Sequence, residues 1–321
     1  MIVNVRTFFK FVELPTKVAS MLPLLLGTLY ALYRFQHFYP LRFALMLVSL
    51  LSFDMATTAI NNYYDFKKAS KTHGYGYETH NPIVRYRLKE GMVVALIIIL
   101  LVLAAGGGLA LVAQTGLLVF LLGGLSFLIG ILYSFGPIPI SRMPLGELFS
   151  GLFMGFVIIF ISAYIHSDGT VVTLLLQWEW VSLHVNLLEV LYLFWFSVPA
   201  ILGIAGIMLA NNICDIEDDI ENRRYTLPVY IGRENALLLY KLLYYVSFID
   251  MVVLVLLGVH PVLVLLLLLT LFPLRRNIER FRREQHKGTT FILSVRNFML
   301  MSAARILVLG IAVIWAAVWP A

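Results

Sequence analysis

Nine runs of apolar residues separated by short polar or basic breaks constrain this chain more than anything else in it. They cover roughly Val18–Tyr33, Phe43–Asn62, Met92–Ala113, Leu117–Phe135, Leu148–Ile165, Leu187–Asn212, Ala236–Leu257, Pro261–Pro273 and Phe298–Trp319. A helix rises 1.5 Å per residue, so about 20 apolar residues cross the hydrocarbon core of a bilayer. Most of the runs approach that length; the eighth is the shortest, which suits a tilted or partly re-entrant segment. Composition agrees: 60% of the 321 residues are hydrophobic and 13% charged, with a mean hydropathy of +0.88. Soluble domains run near 45–50% apolar and about 25% charged. Backbone groups inside a bilayer must pair within their own segment, so runs of this length predict helices. The expected fold is all-α, a multi-span bundle of about nine helices forming one domain over residues 1–321.

The basic residues segregate. With nine spans, the N-terminus and the loops after even-numbered spans share one side, which holds 20 of the 24 Lys and Arg. The other side holds Arg34 and Arg42, and Lys241 and Arg305 fall inside spans. Loops on the cytoplasmic side are enriched in Lys and Arg, so the expectation is a cytoplasmic N-terminus, an external C-terminus and an integral plasma-membrane location. The net charge of +6 then reflects basic loops rather than nucleic-acid binding. A single cysteine, Cys214, excludes an internal disulfide and a cysteine-rich metal site. Residues 1–15 carry Arg6 and Lys10 but show no small-residue cleavage site before a short apolar core, so no cleavable signal peptide is expected.

At the end of the sixth run stands Asn211-Asn212-Ile213-Cys214-Asp215-Ile216-Glu217-Asp218-Asp219. Ionisable groups at membrane depth point to a functional site. Asn211, Asp215 and Asp219 are each four apart, so on a helix their oxygens line one face. Two carboxylates one turn apart repel unless a cation sits between them. Hard oxygen donors at this spacing suit Mg²⁺, which keeps waters and substrate phosphates in its shell. Glu217 and Asp218 fall off that face. About 150 residues earlier, Asn61-Asn62-Tyr63-Tyr64-Asp65 ends the second run and repeats the first two rungs through Asn61 and Asp65. Span parity puts the two copies on one face of the membrane. Facing a common cavity, they could hold two Mg²⁺ around a diphosphate and turn it into a good leaving group. The copies share an orientation and lie at one face, whereas transporters often carry inverted repeats with sites at the midplane. A cation or solute transporter is therefore the weaker reading.

Cationic residues adjoin both copies. Arg223 and Arg224 follow the second, and Lys67, Lys68 and Lys71 follow the first, while Lys17 opens the first span. Lys17, Lys68, Lys71, Arg223 and Arg224 are candidate diphosphate contacts; ordinary positive loop charge accounts for such residues equally well. Tyr133, beside the Ser134-Phe135-Gly136-Pro137 break, is the candidate aromatic face for an allylic carbocation. Arg305 lies inside the ninth span, where it either snorkels, pairs with a carboxylate or lines the site.

These segments resemble the UbiA superfamily of intramembrane prenyltransferases. The resemblance rests on Lys17-Val18-Ala19-Ser20, on Asn61 to Lys68, on Tyr133-Ser134-Phe135-Gly136-Pro137-Ile138-Pro139 with Gly146-Glu147, and on Asn211 to Asp219. Thr226-Leu227-Pro228-Val229 and Ile231-Gly232-Arg233-Glu234-Asn235-Ala236 extend it. The second acidic motif with this tail looks most like the MenA branch. The resemblance implies nine helices around a central cavity with cytoplasmic cap loops, and Mg²⁺-dependent transfer of a polyprenyl group from polyprenyl diphosphate to 1,4-dihydroxy-2-naphthoate. It implies catalytic roles for Asp65, Asp215, Asp219 and Tyr133, and metal ligation by Asn61, Asp65, Asn211, Asp215 and Asp219. One departure stands out. The family's first motif carries a further Asp where this chain has Ala69, Ser70 and Lys71. Lys71 contacting the diphosphate in place of a metal, or Glu78 as a distant ligand, would compensate. An acceptor other than the naphthoate, such as 4-hydroxybenzoate, haem or a glycerol phosphate lipid, and a catalytically inactive family member are the alternatives.

Overall fold

A computed structural model describes residues 5–68, 81–134 and 139–318, with the side chains of Val5, Lys68 and Ser134 set aside. The apolar runs become helices, with ends close to those the hydropathy predicts. They are α1 (Val18–Arg34), α2 (Pro40–Lys68), α3 (Glu90–Thr115), α4 (Leu117–Ser134), α5 (Gly146–Tyr164), α6 (Leu187–Cys214), α7 (Arg233–Leu256), α8 (Pro261–Arg283) and α9 (Ile292–Val318). Among the described residues, eight helices are long and apolar enough to cross a membrane, and the helix from Leu117 to Tyr133 is a shorter apolar one. The chain is an integral membrane protein. The eighth run, short by hydropathy, grows into a 23-residue helix. Its second half is amphipathic, burying Leu274, Ile278 and Phe281 while carrying Arg280, Arg282 and Arg283 in its last turn. Counting apolar residues alone therefore missed its length.

The all-α expectation needs one addition. Between α5 and α6 the chain forms an antiparallel hairpin of β1 (Val172–Leu176) and β2 (Val181–Val185), with Val172 opposite Val185 and Leu176 opposite Val181. Its alternation of residue types lies between two strong apolar runs and was overshadowed by them.

The chain packs as two compact units, one of residues 1–21 and 44–131, the other of residues 22–43 and 132–321. In the first unit, Phe11 and Val12 of the N-terminal segment pack with Ala56 and Ala59 of α2, Ile83, and Val93, Ile97 and Leu100 of α3. In the second, Leu209 and Ile213 of α6 pack with Tyr240 and Tyr244 of α7, Leu274 and Ile278 of α8, and Leu293 and Met301 of α9.

Membrane helices pack closely through small residues. A Cβ on Gly155 of α5 would lie 2.6 Å from the backbone nitrogen of Ile201 on α6, and one on Gly151 would lie 2.8 Å from the Ile201 carbonyl oxygen. These glycines let α6, which carries the second acidic motif at its end, sit directly against α5.

Arg305 is fully buried. Its guanidinium donates to Asp250 through Nε at 2.6 Å and Nη2 at 2.8 Å, and to the carbonyls of Met301 and Ser247. Of the roles open to it in the sequence, the structure selects the carboxylate pair. Removing one partner of such a buried pair costs about 3–5 kcal/mol, so Arg305 and Asp250 lock α9 to α7.

Candidate active site

α6 ends at Cys214, Asp215 breaks the helix with φ −104° and ψ 9°, and a short helix resumes over Ile216–Glu221. The break keeps the register: the Asp219 amide donates to the Asp215 carbonyl at 2.7 Å. Asn211, Asp215 and Asp219 therefore remain a ladder. Their side chains do different things. Lys287, in the segment between α8 and α9, donates to Asn211 Oδ1 at 2.6 Å and to Asp215 Oδ2. The Asn211 amide also reaches Asp215 Oδ2 at 3.4 Å. These two oxygens thus already converge on a cation. Asp219 is turned inward and is 3% exposed. Its Oδ2 accepts from the Thr226 hydroxyl at 3.0 Å, and its Oδ1 lies 3.4 Å from Arg224 Nε. Burial pushes the Asp219 carboxyl above the usual carboxylate range, while Arg224 and Thr226 pull the other way.

Arg224 is thereby committed to Asp219 and to the Ser141 carbonyl, whereas Arg223 is exposed at a positive φ of 53°. Glu217, off the ladder face as expected, pairs with Arg233 at 2.5 Å. Asn212 lies about 100° around the helix from Asn211; it is buried and donates to Glu147 Oε1 at 2.9 Å. The other carboxylate oxygen of Glu147 is buried without a hydrogen-bond partner among the described residues. Tyr133 lies in the same unit, its hydroxyl 3.2 Å from Met208 Sδ. Met208 is three residues before Asn211, so Tyr133 lies about one turn deeper than the start of the ladder.

In the other unit, Asn61 and Asp65 are exposed near the end of α2. Their neighbours face away and anchor the helix. Asn62 donates to the Phe11 carbonyl at 3.0 Å and to Glu13 at 3.3 Å, and its own carbonyl accepts from Asn81 at 2.8 Å. Tyr63 and Lys67 converge on Glu90, at 2.7 Å and 2.5 Å. Lys71, with Ala69, Ser70, Glu78 and the glycine- and histidine-containing stretch up to His80, lies outside the described residues, as does the side chain of Lys68.

Lys17, expected as a diphosphate contact, pairs with a carboxylate of the protein instead. Its ammonium is buried and donates to the Asp54 carbonyl at 3.0 Å, Asp54 Oδ1 at 2.7 Å and Thr58 Oγ1 at 2.6 Å. Ser20 donates to the other Asp54 oxygen at 2.5 Å. Three N–H groups on three oxygens leave Lys17 no donor for a diphosphate. Asp54, Thr58, Asn61 and Asp65 are spaced by four, three and four, so this polar cluster lies on the helix face that also carries Asn61 and Asp65. Asp54 was overlooked, yet it is the one acidic residue within its apolar run, which was the available signal. Lys287 was missed because it is one basic residue among several between α8 and α9, and nothing in its spacing ties it to Asn211.

Among the described residues, no three His, Cys, Asp or Glu side chains gather as a metal cluster. Asp215 is held by Lys287, and Asp219 by Thr226 and Arg224. The donor set nonetheless fits a hard cation, because Asn211 Oδ1 and Asp215 Oδ2 already share one, an ammonium.

The sequence profile of the UbiA prenyltransferase family matches residues 20–302. The chain is 33% identical over 246 residues to the 1,4-dihydroxy-2-naphthoate octaprenyltransferase of Bacillus subtilis (strain 168), covering 76% of this chain and 71% of the relative. Among solved structures, it is similar to a UbiA homologue from Aeropyrum pernix K1, with a TM-score of 0.63 and 19% identity over 93% of this chain and 98% of the other. It is also similar to a UbiA homologue from Archaeoglobus fulgidus bound to GPP and Mg²⁺, with a TM-score of 0.61 and 17% identity over 96% and 99%. At these identities the two structures bear on the fold alone.

Proposed function

The chain belongs to the UbiA prenyltransferase family, and from that premise we propose that it transfers a polyprenyl group from polyprenyl diphosphate to 1,4-dihydroxy-2-naphthoate on the route to menaquinone. The observation that carries this reading is the convergence of Asn211 and Asp215 on a cation at the end of α6. The naphthoate acceptor rests on the Bacillus relative and on the tail from Thr226 to Ala236.

In this proposal Asn211, Asp215 and Asp219 supply oxygens at the diphosphate, and Asn61 and Asp65 are the other proposed metal ligands. Bound Mg²⁺ would supply positive charge to the departing diphosphate. Lys287, whose ammonium is already at Asn211 and Asp215, moves its charge to the diphosphate oxygens, with exposed Arg223 assisting. The allylic C–O bond breaks and its electron pair leaves with diphosphate. The Tyr133 ring offers its face to the allylic cation. The ring carbon of the naphthoate that bears the carboxylate bonds to that cation, and CO₂ leaves, its bonding pair restoring the aromatic ring. The product is the quinol form of demethylmenaquinone. The apolar surroundings of the helices keep water from capturing the cation. The proposed sidedness puts the two motifs at the cytoplasmic face, a reading supported by the Lys and Arg distribution.

The test supplies the purified protein in lipid vesicles with Mg²⁺, farnesyl or longer diphosphate, and dihydroxynaphthoate. A prenylated naphthoquinol is expected, and Asp215→Ala is expected to abolish it. No product, or the same product yield from Asp215→Ala, overturns the reading. Faster turnover with 4-hydroxybenzoate or a glycerol phosphate lipid would keep prenyl transfer and change the acceptor.

A further inference from the structure

We propose that the hairpin between α5 and α6 is a lipid-facing element that lays one of its faces against the bilayer at the membrane surface where α6 begins. Side chains alternate across a strand, and the register sorts this hairpin sharply. Val172, Leu174 and Leu176 stand on one face opposite Val185, Leu183 and Val181. The other face carries Thr173, Leu175, Ser182 and His184. One face is thus wholly aliphatic, in three cross-strand pairs, and the other mainly polar.

The protein covers little of the aliphatic face. Val172 is buried at the base, but Leu176 is 68% exposed, Val181 63%, Leu183 60% and Val185 47%. Trp178, in the turn that Gln177 closes by donating to the Trp180 carbonyl at 2.9 Å, is fully exposed, and Trp180 is half exposed. A two-stranded hairpin is marginally stable alone in water, and a contiguous exposed apolar surface marks a contact site. The occupant follows from continuity. Only Asn186 separates β2 from α6, and the first turns of α6 expose Leu187, Leu188, Leu191 and Trp195 on a bilayer-crossing helix. At its other end the hairpin is tied within eight residues to α5, also a crossing helix. An apolar sheet face that runs into a lipid-facing helix surface, with tryptophans at its tip, matches the pattern of interfacial elements, in which Trp sits at headgroup level. The stretch from Val172 to Val185 carries no Lys or Arg and one acidic residue, Glu179 at the tip, so its attachment to lipid is apolar and needs no anionic headgroup.

The experiment uses the full chain in phosphatidylcholine vesicles. In a Cys214→Ser background, spin labels are placed at Leu183→Cys on the aliphatic face and at Ser182→Cys on the polar face. Accessibility to oxygen, which concentrates in lipid, is compared with accessibility to a water-soluble nickel chelate. The Leu183 label is expected to be several-fold more accessible to oxygen than to nickel, and the Ser182 label the reverse. Equal exposure of both labels to nickel overturns the proposal. So does dipolar broadening at the Leu183 label that disappears on dilution with unlabelled protein, which would make the occupant a second copy. A variant that leaves the strands untouched guards against misfolding: lipid brominated near the headgroup should quench the chain's tryptophan fluorescence less in Trp178→Phe than in the unsubstituted chain. An unchanged quenched intensity puts the tip in water and also overturns the proposal. Replacing half of the phosphatidylcholine with phosphatidylglycerol should leave each result unchanged; attachment only to the anionic vesicles contradicts the apolar mode.

Discussion

The two Asn-Asn motifs divide their side chains alike, but they differ in what surrounds the proposed metal-binding face. In each pair the second Asn anchors the helix. Asn62 ties α2 to the N-terminal segment through the Phe11 carbonyl, and Asn212 ties α6 to α5 through Glu147. In each pair the first Asn is the more exposed of the two and stands four residues before an Asp. There the likeness ends. Asn211 and Asp215 hold the ammonium of Lys287, and Asp219 is supported from behind by Thr226 and Arg224. Asn61 and Asp65 are exposed on α2, and the polar cluster deeper on their helix face, Lys17 with Asp54, is saturated by its own hydrogen bonds. A repeated motif therefore carries a repeated anchor, while the third rung, Asp219 with Thr226 and Arg224, has Ala69 at the matching position of the first copy.

The largest expected effect tests that asymmetry directly. Asp215→Ala removes the carboxylate on which the second ladder converges, and turnover should fall by about 10³-fold or more, the scale of losing a preorganised charge-stabilising group. Asp65→Ala should leave measurable turnover and show itself mainly as a higher Mg²⁺ requirement, because its motif has no third acidic rung. Steady-state rates across a Mg²⁺ titration separate the two. Equal losses that no Mg²⁺ concentration rescues would make the motifs equivalent and break the comparison.

A smaller effect is expected at Lys287. Its ammonium occupies the oxygens that a divalent cation would use, so Lys287→Ala should strengthen Mg²⁺ binding in the absence of substrate. The same change should weaken binding of a non-hydrolysable prenyl diphosphate analogue by about tenfold, the factor for 1.4 kcal/mol, which lies within the range for a charge-assisted contact. Calorimetry with Mg²⁺ alone and then with the analogue reads both. If neither affinity moves, Lys287 is an ordinary loop cation and the second motif loses its distinguishing feature.

The sequence made the helical architecture legible because a bilayer leaves few options: length, hydropathy and basic-residue distribution all point to it. Span ends came within three residues except at the end of α2 and the start of α9, each extended by six residues, and in the amphipathic second half of α8. Spacing also identified the ladder, since four-residue steps survive the break at Asp215. What spacing could not convey is which oxygens are already spent. Lys17 reads as a free cation until Asp54, 37 residues away, is folded against it, and Lys287 reads as loop charge until it reaches Asn211, 76 residues away. Such pairings are tertiary, and no local pattern encodes them. The hairpin was hidden for another reason: its aliphatic alternation lies between two longer apolar runs that dominate any window.

The smallest effects separate anchor from ligand. Asn212→Ala leaves Glu147 buried with neither carboxylate oxygen hydrogen-bonded to a side chain, a loss on the scale of about 1–3 kcal/mol for an unsatisfied buried group. Asn62→Ala loses a bond to the Phe11 carbonyl at a half-buried position and a longer, solvent-exposed one to Glu13, where about 0.5–1.5 kcal/mol is the usual range for the buried bond. Thermal unfolding in detergent should therefore show a larger drop for Asn212→Ala than for Asn62→Ala. If the second Asn of each pair is an anchor, neither variant should change the Mg²⁺ concentration that half-saturates the rate, once the loss of folded protein is allowed for. The neighbouring Asn211→Ala should do the opposite, sparing stability and raising the Mg²⁺ requirement. A shift in Mg²⁺ dependence for Asn212→Ala as large as that for Asn211→Ala would mean that both amides serve the cation, and the division of labour within the motif would have to be withdrawn.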